Sequence, residues 1–233
     1  MILKQIEIGT ATLVHGNCYD ILSRFRGLGA VVTDPPYLFD SSGGGAFRKS
    51  RTYLNTIKSK RLDQGFDHGF LVPDFSQSVV CFCHERQIGT LKTWFDQHYD
   101  RVSLCLWCKT NPMPMANKSY QAECEFYIHA WQKNAFPLGS LAQKKRITNH
   151  AVGRSPFAHP TVKPDRLMDK IIANVNDDTI IDPFMGTGST GVAAIKAGKK
   201  FIGIEIDETY FSIAHSRLLK AHEDMGLFAG GED

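Results

Sequence analysis

The sequence predicts an α/β domain: a mixed, mostly parallel sheet of seven strands with helices on both faces. Three observations lead there. Short apolar runs, Ala30-Val31-Val32-Thr33, Val79–Cys83, Thr179–Asp182 and Phe201–Ile204, have the length and β-branched content of buried strands. Helical patterns lie between and after them, at His84–Phe95, Asp165–Val175 and Thr209–His222. Thr179–Gly191 reads as strand, glycine-rich turn and helix in direct succession.

The elements follow in order. Residues 1–14 alternate loosely through Ile2, Ile6, Ile8, Leu13 and Val14, as a hairpin at the domain edge does. Asn17 can cap a helix over Cys18–Phe25. Ala30–Thr33 then runs into Asp34-Pro35-Pro36-Tyr37. Each proline fixes its own φ, lacks an N–H and pushes the preceding residue towards extended geometry, so this is a rigid corner at a strand end. Ser41-Ser42-Gly43-Gly44-Gly45 is a flexible connector into a basic arm, residues 41–72. A strand over Val79–Cys83, a helix ending near His98, and strands at Arg101–Lys109 and Glu123–Ala130 follow. Residues 133–158 have few apolar side chains in register, Pro164 sits at the first turn of the next helix, and Gly226–Asp233 reads as frayed.

A chain of 233 residues fits one domain, 1–233, with the basic arm inserted. No run is long and apolar enough to span a bilayer and the N-terminus lacks a signal-peptide pattern, so a soluble cytoplasmic protein with no membrane partner is expected. Net charge is +3, unevenly placed. Arg48, Lys49, Arg51, Lys58, Lys60 and Arg61 form one acid-free cationic segment. Lys133, Lys144, Lys145, Arg146, Arg154 and Lys163 belong to another. Cations concentrated this way suit a polyanion. The six cysteines include pairs spaced like zinc ligands, Cys81/Cys83 and Cys105/Cys108. Residues three apart on a strand point to opposite faces, so reduced, buried thiols and no metal are expected.

Taken together, the Asp34-Pro35-Pro36-Tyr37 corner and the loop Asp182-Pro183-Phe184-Met185-Gly186-Thr187-Gly188-Ser189-Thr190 resemble the S-adenosylmethionine-dependent DNA amino-methyltransferases, which methylate the exocyclic nitrogen of adenine or cytosine. With the corner first and the loop last, the order is similar to the circularly permuted β group of that family. The resemblance covers nearly the whole chain. It implies a Rossmann-like class I methyltransferase fold, S-adenosylmethionine as cofactor with S-adenosylhomocysteine as product, and double-stranded DNA as partner.

The resemblance also implies roles. Asp34 and the Pro35 carbonyl would accept the two amino N–H groups of the target base, whose nitrogen lone pair is otherwise delocalised into the ring. Pro36 would hold the corner rigid and Tyr37 would stack on a base extruded from the duplex. Transfer is then direct, without metal or covalent enzyme intermediate. His15-Gly16-Asn17-Cys18 resembles the segment near the cofactor adenine, with Asn17 where the family usually has Asp. Asp20 is an alternative acid there. His159-Pro160-Thr161-Val162-Lys163-Pro164 resembles the family's H-P-T-x-K-P motif, which puts His159, Thr161 and Lys163 by the methionine end of the cofactor. Thr110–Pro114 and Glu125 match segments near the base pocket. Asp182, Pro183, Phe184, Gly186, Thr187, Gly188, Thr190, Glu205 and Ile206 complete the expected cofactor site. Residues 133–158 correspond to the target-recognition region, where Lys144, Lys145, Arg146 and Arg154 are candidate DNA contacts.

Gly186-x-Gly188-x-x-Gly191 also satisfies a dinucleotide fingerprint, with Glu205 as its acid, so a nicotinamide-dependent oxidoreductase is the rival from another class. Asp182 just before the glycines would repel a pyrophosphate but could hold an ammonium, and that rival leaves Asp34–Tyr37 and His159–Pro164 unexplained. The expected activity is therefore N6-adenine methylation of DNA. N4-cytosine methylation is the nearest alternative; the family's cytosine corner more often begins with Ser, so Asp34 favours adenine. A catalytically silent DNA-binding relative is the non-enzyme alternative. Monomer and homodimer are both open, as is membership of a restriction–modification pair against an orphan or phage enzyme.

Overall fold

The computed structural model describes residues 2–38, 65–112, 120–152 and 163–229. Its strands are β1 (Ile2–Ile8), β2 (Ala11–Gly16), β3 (Ala30–Thr33), β4 (Ser78–Cys83), β5 (Arg101–Lys109), β6 (Cys124–Trp131), β7 (Ile147–His150), β8 (Thr179–Asp182) and β9 (Lys200–Glu205). The α-helices among the described residues are α1 (Ile88–His98), α2 (Asp165–Ala173), α3 (Ser189–Lys196) and α4 (Glu208–Ala229). All strands join one sheet in the order β1-β2-β9-β8-β3-β4-β6-β5-β7.

The class is the expected mostly parallel α/β sheet, but with nine strands among the described residues instead of seven. Two pairings extend the sheet at its edges. The N-terminal hairpin is part of the sheet, because β2 runs parallel to β9 in register from Ala11↔Phe201 to His15↔Glu205. Ile147–His150 adds an edge strand parallel to β5, inside the stretch that lacks an apolar alternation. Its backbone pairs although its side chains do not advertise a strand: Ile147 is exposed and Thr148 is the buried residue. The Trp107 indole N–H donating to the His150 carbonyl at 3.0 Å fastens it. At the C-terminus α4 continues to Ala229, past the expected fraying point at Gly226.

Period-2 geometry divides the central strands between two cores. Ala30 and Val32 of β3, with Val80 and Phe82 of β4, face α2, α3 and α4. Val31, Val79, Cys81 and Cys83 face Leu91 and Phe95 of α1 and the turn around Leu71 and Phe75. β3 and β4 are buried at every position, as strands covered on both faces must be. Helix α2 shows why its sequence is helical: Leu167, Met168, Ile171 and Ile172 form one buried stripe, Pro164 stands at its N-cap, and Asp165 complements the dipole in the first turn. No described helix is long and apolar enough to cross a membrane. Cys18, Cys81, Cys83 and Cys105 are buried thiols, whereas Cys108 and Cys124 are half-buried with their sulfurs 3.4 Å apart.

His129, on β6, is buried with its Nε2 3.1 Å from Ser78 Oγ. Burial pushes its imidazole down from 6.5 to about 4. Between those values the unfolded chain binds a proton that the native chain does not. Stability present above pH 6.5 is therefore lost as pH falls towards 4, by roughly 3 kcal/mol for this group. His129→Gln is expected to flatten that part of the pH dependence, read as the difference in urea unfolding free energy between pH 7 and pH 4.5.

Candidate active site

Four consecutive parallel pairings, β2–β9, β9–β8, β8–β3 and β3–β4, bring the carboxyl ends of five strands to one edge of the sheet. In open α/β sheets that edge is where ligands bind. Four of these strand ends deliver a sequence-expected segment. β2 leads to Asn17 and Cys18, β9 ends at Glu205, β8 opens the Asp182–Gly188 loop, and β3 opens the Asp34–Tyr37 corner.

In the corner Pro35 is buried and Asp34, Pro36 and Tyr37 are half-buried. Asp34 Oδ2 pairs with Lys163 Nζ at 2.6 Å. Asp34 Oδ1 is shielded from solvent and has no hydrogen-bond partner among the described residues, although the Tyr37 hydroxyl lies near enough to influence the carboxyl. Burial pushes the Asp34 carboxyl up; Lys163 opposes this and Glu125 adds to it. The Lys163 ammonium also donates to the Tyr37 hydroxyl at 3.3 Å, pairs with Glu125 Oε2 at 3.0 Å and lies 4.7 Å from the centre of the Phe82 ring. Lys109 pairs with the other Glu125 oxygen at 2.9 Å. Burial alone would push the Lys163 ammonium down, but Asp34 and Glu125 outweigh it and hold the group above the usual lysine range.

The loop after β8 is built on hydrogen bonds to carboxylates. Asp182 is buried, and its Oδ1 accepts from the Thr33 hydroxyl at 2.7 Å and from the Phe184 N–H at 3.1 Å. Burial raises its carboxyl to about 6 against the hydrogen bonds of Thr190, Thr33 and Phe184. Pro183 is buried beneath the loop and Phe184 is half-exposed above it. Glu205 Oε2 accepts from the Gly186 N–H at 2.8 Å and Oε1 from the Asp207 N–H at 2.7 Å. Burial raises this carboxyl to about 7. The Arg217 guanidinium of α4 donates to the Thr187 carbonyl at 2.6 Å and to its hydroxyl at 3.1 Å. Thr190 is buried in the first turn of α3, and Ile206 is 65% exposed at the rim. Gly188 has φ +82°, and a Cβ there would come within 2.6 Å of Leu218 Cδ1 and 3.1 Å of Ala214 Cβ.

On the other flank Asn17 acts as an N-cap: its Oδ1 accepts from the Tyr19 N–H at 3.2 Å, starting a 3₁₀ turn over Cys18–Asp20. The helix expected over Cys18–Phe25 is two 3₁₀ turns, Cys18–Asp20 and Leu22–Phe25. Cys18 is buried beside Glu205 and Asp182, and burial pushes its thiol up to about 12. Tyr19 stands edge-on to Phe184 at 6.1 Å and to Phe70 at 6.2 Å, and Phe66 meets Phe184 at 5.6 Å. This aromatic wall was not anticipated, and neither were the parts played by Lys109 and Arg217. No local motif marks these residues, because their partners lie far along the chain.

Expected residues fall outside this arrangement in two ways. Arg48, Lys49, Arg51, Lys58, Lys60, Arg61, Arg154, His159 and Thr161 lie outside the described residues. Lys144, Lys145 and Arg146 are described, but they line a cavity of about 620 Å³ that also includes Asn174, at the C-terminal end of α2. Lys163 and the corner lie at the other end of that helix. Among the described residues no cluster of three His, Cys, Asp or Glu side chains is gathered to hold a metal ion.

A family model described as DNA methylase matches residues 29–216. The type II methyltransferase M2.MboI of Moraxella bovis is 26% identical over 238 residues, spanning 88% of this chain and 86% of that protein. The solved complex of M1.HpyAVI with SAM matches with a TM-score of 0.64 at 25% identity, covering 89% of this chain and 100% of the other. The PvuII DNA methyltransferase, cytosine-N4-specific, matches with a TM-score of 0.65 over 100% of this chain and 98% of its own, a likeness of fold at 15% identity.

Two glycines separate backbone freedom from packing. Gly188 and Gly198 both have positive φ, but only Gly188 is pressed against α4; nothing lies within 4 Å of a Cβ at Gly198. Gly198→Ala is expected to cost about 1 kcal/mol, the left-handed penalty alone. Gly188→Ala should cost at least about 2 kcal/mol, because Leu218 must also give way. Urea denaturation of the two variants in parallel measures the difference.

Proposed function

Since the chain belongs to the DNA methylase family, we propose that it methylates N6 of adenine in double-stranded DNA, using S-adenosylmethionine and acting on a base extruded from the duplex. The observation that carries this reading is Asp34 Oδ1: a buried carboxylate oxygen without a partner among the described residues, at the end of β3, one strand from the glycine loop. A buried acceptor left open in this way is unfavourable unless a ligand donor fills it. The two N–H bonds of an exocyclic amino group suit it, one to Asp34 and one to the Pro35 carbonyl.

The residues at the neighbouring strand ends fit the cofactor. Glu205 already accepts from Gly186 and Asp207, and each carboxylate oxygen keeps a lone pair for a ribose hydroxyl. Ile206 exposes an apolar side chain beside it, suited to an adenine face. Gly186 and Gly188, both at positive φ, let the backbone turn close to a ligand. Asn17 and Cys18 border the same edge from β2. Bound there, S-adenosylmethionine supplies an electrophilic methyl group on a sulfonium.

The chain's own part is alignment and electrostatics. Asp34 and the Pro35 carbonyl hold the amino nitrogen with its lone pair directed away from the ring plane, and the two prolines keep both acceptors rigid. Tyr37 offers its ring to the extruded base. The charged residues 48, 49, 51, 58, 60, 61, 144, 145, 146 and 154 are candidates for gripping phosphate. Adenine is preferred over cytosine on the Asp at position 34.

Incubation with tritium-labelled S-adenosylmethionine and unmethylated genomic DNA, followed by nucleoside separation, tests the reading. Label should appear in N6-methyladenosine; label in N4-methylcytosine would overturn the base assignment while keeping the class. Asp34→Ala should lower turnover roughly 10²–10³-fold with cofactor binding retained. Glu205→Gln should weaken cofactor binding roughly tenfold to a hundredfold, measured by calorimetry, because it replaces charged acceptors of ribose hydroxyls.

A further inference from the structure

Resting on that reading, we propose that Lys163 is a positioning residue of the catalytic corner, orienting Asp34 and Tyr37 for the target amino group instead of gripping the methyl donor. Its sequence frame placed it by the methionine end of the cofactor. Its polar contacts among the described residues are with the corner and with Glu125. The side chain is 5% exposed, and its ammonium meets Asp34, Tyr37 and Glu125 at 2.6, 3.3 and 3.0 Å. The ammonium is thus enclosed by two carboxylates and a tyrosine hydroxyl, and its charge is already balanced by Asp34 and Glu125 without a cofactor carboxylate.

The arrangement has a direction. By holding Oδ2, Lys163 fixes the Asp34 carboxylate in one orientation and leaves Oδ1 as the acceptor that remains open. The same ammonium meets the Tyr37 hydroxyl and lies 5.6 Å from the centre of its ring, so acceptor and stacking platform are set by one group. Glu125 stands behind Lys163 and is in turn held by Lys109. Asp34, Lys163, Glu125 and Lys109 thus alternate in sign along a half-buried to buried chain. Lys163 also keeps Asp34 an acceptor: burial favours the protonated carboxyl, and the ammonium opposes that. A carboxylate neutralised in this way orients an amino group without removing its proton before transfer.

The test compares wild type with Lys163→Met, Lys163→Arg and Glu125→Gln in steady-state methylation of DNA, with cofactor affinity measured separately by calorimetry. Lys163→Met is expected to lower kcat roughly 10²-fold, the scale of a small misplacement of a reacting group, with the Kd for S-adenosylmethionine within about twofold of wild type. The acid limb of its pH–kcat profile should move to higher pH, because Asp34 loses the charge that holds it ionised. Lys163→Arg should recover part of the rate, and Glu125→Gln should lower kcat by less, with the acid limb moving to lower pH because the Glu125 charge raises the Asp34 carboxyl. Removing a buried cation can unfold the chain; in that event the arginine and Glu125 variants carry the comparison. A tenfold rise in the cofactor Kd with kcat unchanged would overturn the proposal, as would an unmoved pH profile. Wild-type protein that leaves DNA unlabelled would sink the functional reading itself, before any variant is compared.

Discussion

Thr33 closes β3, Asp182 closes β8, and a 2.7 Å hydrogen bond from the Thr33 hydroxyl to the Asp182 carboxylate ties these strand ends together. Both residues are buried, so the bond is charge-assisted, unscreened by water and expensive to break. The next residue on one side is Asp34. On the other, the same Asp182 oxygen holds the Phe184 N–H and so shapes the first turn of the glycine loop. The Asp34–Tyr37 corner and the glycine loop therefore share one frame, so that a shift of one strand end disturbs the other. For the direct transfer proposed above, which depends on alignment, this is the constraint that matters most.

Around that frame the site is made of buried charge that is nearly all accounted for. Burying a carboxylate or an ammonium alone is prohibitive. The chain answers by alternating them: Lys109, Glu125, Lys163 and Asp34 are linked at 2.6–3.0 Å. Glu205 takes two backbone N–H groups. In this network, among the described residues, Asp34 Oδ1 and Glu125 Oε2 lack a hydrogen-bond partner, but Glu125 Oε2 faces the Lys163 ammonium at 3.0 Å, so Asp34 Oδ1 is the oxygen left for a ligand donor. The balance explains the residue types as well as the positions, since a neutral Gln at 125 would leave Lys163 with one counter-charge instead of two.

Much of this was legible beforehand. The boundaries of β3, β5 and β8 follow their apolar runs, and the prolines and glycines marked both loops, because those residues restrict or free φ by themselves. The strand count was not legible. β7 pairs through its backbone while exposing Ile147, so no hydrophobic pattern announces it. Asn17 was readable as a cap or as a cofactor contact, and its side chain caps Tyr19. Lys144, Lys145 and Arg146 formed a cationic run with an obvious electrostatic meaning, yet the fold puts them at the far end of α2 from the corner. Charge density along a chain carries no information about which edge of a sheet it will reach.

What the amino-acid order determined by itself is therefore the local chemistry: a carboxylate on a proline-stiffened strand end, a glycine turn between strand and helix, and a carboxylate closing β9. These depend on backbone restrictions acting over a few residues. Only the tertiary structure decided that the two loops sit on adjacent strands, that Asp182 braces the frame, and that Lys163 belongs to Asp34 and Tyr37. Such contacts join residues more than a hundred positions apart, and they exist because parallel pairing of β3 with β8 brings those strand ends to the same edge.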